Sequence, residues 1–142
     1  MSDRETWLAG VLAGMNCVTG TVHRAVGGDW LELEAAVGIP EALMPVIGRI
    51  PFGKGIAGAA AATREPVELC NLQQDLGGVA KEGARQTQVS GSLAVPVFAR
   101  DGKEILGTLG VGMREPHDFS DAEKLRLAGF AEELARVWES GD

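Results

Sequence analysis

Tyrosine is absent from this chain, histidine and cysteine occur only twice each, and 13 basic residues face 20 acidic ones. Each shortage closes off a class of function. Cys17 and Cys70 build neither a disulfide framework nor a zinc knuckle, which needs four clustered ligands. A single bridge between them stays open; free thiols in a reducing cytosol are the plainer reading. The net charge of −7 argues against a broad basic surface for nucleic-acid phosphates and against an anionic membrane as partner. No apolar run is long enough to cross a bilayer. The start, Ser2-Asp3-Arg4-Glu5, lacks the basic-then-apolar order of a signal peptide. The expectation is a cytoplasmic protein with no nucleic-acid and no membrane partner.

What is present suits one globular domain over residues 1–142: 45% hydrophobic residues, 23% charged and 20 glycines. Ser2 and Glu5 have capping-box spacing, and Leu8, Val11, Leu12 and Met15 then recur at helical intervals, which predicts a helix over 2–16. The segment 19–25 is rich in β-branched residues. After the turn Gly27-Gly28-Asp29, Leu31, Leu33, Ala35 and Val37 alternate with Trp30, Glu32 and Glu34, so the two segments read as a hairpin. Glu41 to Met44 has room for one helical turn before Pro45 stops it.

The stretch 50–69 organises the chain: a short strand, a turn at Gly53 and Gly55, an alanine helix, a break at Arg64-Glu65-Pro66, and another short strand. Residues 70–91 have no clean period, which in a domain this size marks a functional segment or a short unrecognised helix. Strands follow at 92–98 and 105–113, joined by Arg100-Asp101-Gly102-Lys103, whose Asp-Gly pair suits a tight turn. Pro96 cannot donate to a ladder, so a bulge or an edge position is expected there. Leu106, Thr108, Gly110 and Gly112 fall on one face of the last strand, where bare glycines invite close approach by a helix or a ligand. Ser120 and Glu123 form a second capping box, and Leu127, Ala131, Leu134 and Trp138 line a helix over 120–139. The sheet core thus spans 19–113. Hairpin turns throughout make the fold α+β with an antiparallel sheet.

Three segments of this chain resemble the GAF domain, a relative of the PAS domain: 19–24, 50–67, and 93–97 with 106–111 and 117–121. The resemblance implies a central sheet of about five or six strands with the terminal helices on one face. The short helix and the irregular segment would enclose a pocket on the other. It also implies dimerisation through the terminal helices and a signal passed to a separate output protein.

Candidate chemistry is sparse. Gly53-x-Gly55-x-x-Gly58 matches the dinucleotide fingerprint, but that motif needs a parallel βαβ unit; a tight turn into a closely packed helix explains the glycines, with a small anion at the helix start as a middle reading. Cys70 has no histidine near it in sequence, and a reactive thiol needs an activating neighbourhood. Cys17 reads as packing and His23 as a strand-surface residue. Asp118, Asp121 and Glu123 are explained by capping and the helix dipole. The family has an enzymatic branch, the free methionine-(R)-sulfoxide reductases. The resemblance to that branch fails where it carries a cysteine and this chain has Ala57, where it carries an acidic residue and this chain has Leu93, and in the absence of further cysteines between Asn71 and Gly91. The bilin-attachment and cyclic-nucleotide signatures are missing too.

The expectation is therefore a non-catalytic sensor of an unidentified small molecule, with the sulfoxide reductase and a ligand-free dimerisation module as alternatives. Its pocket would draw on Arg85, Ser92, Cys70, Asn71 and Gln88, with Phe52 and Met44 as apolar wall; Arg85 would meet an anionic ligand. Gln73 and Asp75 are further polar residues of the same stretch. The residues name no cofactor and no set of metal ligands.

Overall fold

A computed structural model describes residues 2–69 and 90–141. Within them the chain runs α1 (Asp3–Met15), β1 (Thr19–Val26), β2 (Trp30–Val37), a single 3-10 turn at Glu41–Leu43, α2 (Met44–Ile47), β3 (Arg49–Pro51), α3 (Gly55–Thr63), β4 (Val67–Leu69), β5 (Gly91–Phe98), β6 (Ile105–Met113) and α4 (Asp121–Glu139). The six strands form one antiparallel sheet in the order β3-β2-β1-β6-β5-β4. This is the expected α+β architecture.

Both terminal helices start as their sequences dictate. Ser2 and Glu5, and again Ser120 and Glu123, exchange the reciprocal bonds of a capping box, which satisfies amides the first turn leaves free. Leu8, Val11, Leu12 and Met15 of α1 and Leu127, Ala131, Leu134 and Trp138 of α4 are buried in one cluster with Val22, Leu93, Val95, Val97, Leu109 and Val111 of the sheet. Both apolar stripes are thus buried within the single chain. Side chains alternate along a strand, so Ala94, Thr108 and Gly110 face the other way. On that front face lies α3, whose buried Ala60 and Ala61 stand outside the terminal-helix core and which touches β5 and β6.

Topology requires this position for α3. It joins β3 at one edge of the sheet to β4 at the other, so the chain between them has to cross a face, and the back is already occupied. The crossing is tight. Gly53 has φ +94° and Gly55 φ +68°, a conformation glycine adopts without strain. A Cβ on Gly58 would come within 2.6 Å of the Pro51 carbonyl oxygen, so α3 starts in direct backbone contact with the strand it leaves.

Three local expectations need correction. Pro45 does not stop a helix; it lies in the first turn of α2, where the missing N–H costs nothing because that donor has no intrahelical partner. The unbroken alternation in β2 fails because the pairing with β1 skips Glu34, passing from Val22–Ala35 to His23–Leu33. Ala35 accordingly joins the terminal-helix core while Leu31 does not. Likewise the β5–β6 register skips Leu106 between Val97–Gly107 and Phe98–Ile105, and Leu106 packs against that core instead of sharing a face with Thr108. Pro96 meets its expectation: it sits beside this bulge and beyond the last β4 pair, Val67–Ala94. No helix among the described residues is long and apolar enough to cross a membrane.

Candidate functional site

The front face of β1, β6 and β5 is the candidate site. Cross-strand partners share a face. The pairings His23–Thr108 and Thr21–Gly110 between β1 and β6, and Thr108–Pro96, Gly110–Ala94 and Gly112–Ser92 between β6 and β5, therefore form one tiled surface. It is polar at its centre and nearly bare of bulk. A Cβ on Gly110 would meet Thr21 Oγ1 at 3.2 Å and Ala94 Cβ at 3.9 Å, so the residues flanking Gly110 close over its backbone without a large side chain. The alanine helix α3 lies across this floor.

His23 is the most constrained polar group on it. The side chain is 2% exposed, against the expected surface position. A strand with neighbours on both sides, between covered faces, buries both sets of its alternating residues; that is a property of sheet order and not of local pattern. Nε2 lies 2.9 Å from the Ile47 carbonyl oxygen. A carbonyl only accepts, so Nε2 carries the proton and donates, and the neutral ring presents a bare lone pair at Nδ1. That Nδ1 is buried without a partner, and so is Thr108 Oγ1 on the paired strand. Thr108 is itself 1% exposed.

Burial pushes the His23 pKa below its ordinary value of 6.5, only partly opposed by the bond to Ile47. The folded chain then holds the ring neutral where the unfolded chain would take up a proton. Stability from this group is complete above about pH 6.5 and drains away as the pH falls below that value, by up to about 1.4 kcal/mol per pH unit for one proton. Thermal melts between about pH 7.5 and 5 should show this acid-side loss in the wild type and a flatter profile in His23→Leu.

The expected site residues are only partly placed. Ser92 is buried on the front face, where it pairs with Leu69 of β4. Met44 opens α2, three residues before the carbonyl that holds His23. Phe52 is half-buried beyond the β3 edge, its amide bonded to the Asp29 carbonyl at 2.8 Å, four strands from Ser92 in the sheet order. Cys70, Asn71, Arg85 and Gln88, together with Gln73 and Asp75, lie outside the described residues. Leu93, where the reductase branch carries an acid, points into the terminal-helix core.

Cys17 is no nucleophile. It is half-buried against the same core, and burial, reinforced by the charge of Glu123, raises its thiol to about 11, so thiolate is scarce at neutral pH. The acidic group at the α4 start is structural, as expected. His117 Nε2 lies 2.9 Å from Glu123 Oε1, which also accepts from the Ser120 amide. Glu68 accepts from the Phe119 amide and pairs with Lys124. Elsewhere, a groove of about 620 Å³ runs between the end of β5 and α4, past Pro66, Pro96, Phe98, Ala131 and Arg136; it contains none of the expected site residues.

Known proteins share this fold. A GAF domain family model matches residues 9–139. The GAF domain of a phosphoenolpyruvate-protein phosphotransferase from Acinetobacter superposes with a TM-score of 0.74 at 20% identity, covering 94% of this chain and 77% of that one. Free methionine-R-sulfoxide reductase from Neisseria meningitidis, solved with its substrate, gives 0.71 at 20% identity over 96% of this chain and 80% of that one. In sequence, free methionine-R-sulfoxide reductase from Saccharomyces cerevisiae is 30% identical over 88 residues, 62% of this chain and 44% of the yeast protein, so the match spans less than half of that relative. The expectation that the domain is no enzyme is thereby overturned: the sequence relative is an enzyme, and so are several of the proteins that share the fold. That expectation rested on counting thiols, and a missing resolving thiol removes one route of turnover without removing the others. The family model covers nearly the whole length, and the chain belongs to the GAF domain family.

Proposed function

We propose that this domain binds a free amino-acid sulfoxide on the front face of its sheet and reduces it through one cysteine. The observation that carries the reading is the 30% identity to the yeast reductase. The shared fold and the polar, uncrowded floor beneath α3 support it. The nucleophile is Cys70, because Cys17 is packed among the terminal helices with a raised pKa.

The chemistry balances with one protein thiol and an external one. The Cys70 thiolate attacks the sulfoxide sulfur, and the oxygen passes to the cysteine. The sulfide leaves as free methionine, reduced by two electrons, and Cys70 is left as a sulfenic acid, oxidised by two. A small-molecule thiol condenses with the sulfenic acid, releasing water and forming a mixed disulfide. A second thiol then attacks that disulfide, restoring Cys70 and leaving as the oxidised dimer. The external thiol stands in for the resolving cysteine this chain lacks. A reducing, cytoplasmic setting suits that requirement.

Incubating the protein with L-methionine-(R)-sulfoxide and dithiothreitol, and measuring methionine by chromatography, tests the proposal. Methionine should accumulate with wild type and Cys17→Ser, and fall by at least about 100-fold with Cys70→Ser, the scale expected when a nucleophile is lost. No methionine above the thiol-only control, or equal rates for Cys70→Ser and wild type, would overturn it.

A further inference from the structure

The two unpartnered polar atoms on the front face point to what the site recognises. His23 Nδ1 and Thr108 Oγ1 lie on directly paired residues of neighbouring strands, both buried and both without a hydrogen-bond partner. Folded chains pair nearly all such groups, and an orphaned pair at the centre of a candidate site is unusual.

We infer that His23 and Thr108 together form a receptor for the ammonium group of a free amino acid. The inference rests on the proposed small-molecule site and names the part of the ligand that the protein reads. The chemistry selects a donor. Because Nε2 is committed to the Ile47 carbonyl at 2.9 Å, Nδ1 offers only a lone pair, and the threonine hydroxyl beside it accepts as well. A carboxylate would meet that lone pair with one of its own. An ammonium group carries three donors on one nitrogen, enough to satisfy both protein atoms and keep one for a further contact. Burial, which holds the imidazole neutral, maintains the acceptor state.

The pair also separates a free amino acid from the same residue inside a polypeptide or behind an N-acyl cap. An amide nitrogen has one hydrogen and no charge, so it donates to only one of the two atoms and brings none of the electrostatic attraction of an ammonium group. Sites with unpaired buried polar groups reject ligands that leave them so. In this structure α2 covers the histidine through the Ile47 bond, and Leu33 N to Gly48 O at 2.9 Å ties the residue after α2 to β2.

The test uses the full chain carrying Cys70→Ser, so that nothing turns over, with and without Thr108→Val. Valine keeps the shape and removes the hydroxyl. Calorimetric titration compares L-methionine-(R)-sulfoxide, L-methionine and N-acetyl-L-methionine-(R)-sulfoxide. The free sulfoxide should bind about 10- to 100-fold more tightly than its N-acetyl form, and Thr108→Val should erase that preference, the scale of a hydrogen bond to a charged group. The ligand-free melting temperature of Thr108→Val should be unchanged or higher, since an unsatisfied hydroxyl has been removed. Equal affinity for free and N-acetyl sulfoxide, or unchanged affinities in Thr108→Val, would overturn the inference while leaving the reductase proposal standing. A valine variant that melts several degrees lower would do the same, by revealing a Thr108–His23 bond. Threonine-dependent binding of free methionine by a protein that reduces no sulfoxide would uphold the inference and defeat the reductase proposal. Failure of all three probes to bind at millimolar concentration would defeat both.

Discussion

Gly107→Ala is expected to cost at least about 3 kcal/mol, at the upper end of what overpacking usually costs, and to leave little soluble protein. A Cβ at this position would lie 2.0 Å from the His23 carbonyl oxygen and 2.9 Å from the ring of Trp138. The first obstacle is backbone of a paired strand and cannot rotate away. Relieving it means parting β1 from β6 at the centre of the sheet, beside the His23–Thr108 pair. Urea unfolding measures the loss. Gly129→Ala is the matched control: it is exposed on α4 with nothing within 4 Å of the added carbon, and alanine there should gain roughly 0.8–1 kcal/mol from helix propensity. Equal stability of the two variants would contradict the close approach.

Trp138→Ala is expected to lose about 3–5 kcal/mol, a large share of the 5–15 kcal/mol typical of a domain. The ring is 5% exposed and forms the cover over Gly107. Its Nε1 donates to Glu34 Oε2 at 3.1 Å, and Arg24 stacks 4.9 Å above it. Arg4 reaches the same carboxylate oxygen at 2.8 Å. One tryptophan therefore ties α4 to the bulge of β2, and through Glu34 to α1. Removing it opens a cavity and takes a donor from that carboxylate at once. Trp138→Phe keeps most of the packing and should lose only about 1–2 kcal/mol, the part carried by the hydrogen bond and the reduced ring. Thermal unfolding should separate the two, with alanine melting about 10–20 °C below wild type. Similar melting temperatures for alanine and phenylalanine would locate the contribution in the hydrogen bond instead of the packing.

Much of the architecture was legible because its signals are local. The capping boxes at Ser2 and Ser120, the glycine turn before α3 and the Asp101-Gly102 hairpin each lie within a few residues of the structure they specify. The errors share a cause: they depend on what lies across the sheet. Glu34 and Leu106 break their alternation because each is an extra residue in one strand of a pair, and a strand read alone shows no partner to be out of step with. His23 is buried because β1 has β2 on one side and β6 on the other, which its own neighbours Val22 and Arg24 do not reveal. Pro45 taken alone signals a helix stop, yet its place in the first turn of α2 is compatible with a start. Of the expected pocket residues, Ser92 was placed by strand alternation. Thr108 was recognised only as a member of a face, since its missing partner becomes visible once β1 and β6 are aligned. Function was the least legible, because relatedness to an enzyme resides in many weak identities along the chain and not in the cysteine count.

The central claim is that the sheet face beneath α3, and not the groove beside α4, receives the ligand. The most direct measurement is the amide and histidine nitrogen spectrum of isotopically labelled Cys70→Ser protein titrated with L-methionine-(R)-sulfoxide. The account predicts shifts concentrated at Thr21, His23, Ser92, Thr108 and Gly110, with His23 Nδ1 moving toward a hydrogen-bonded lone pair. Shifts gathered along Phe98, Arg100, Ala131 and Arg136, or a spectrum unmoved at millimolar sulfoxide, would contradict it.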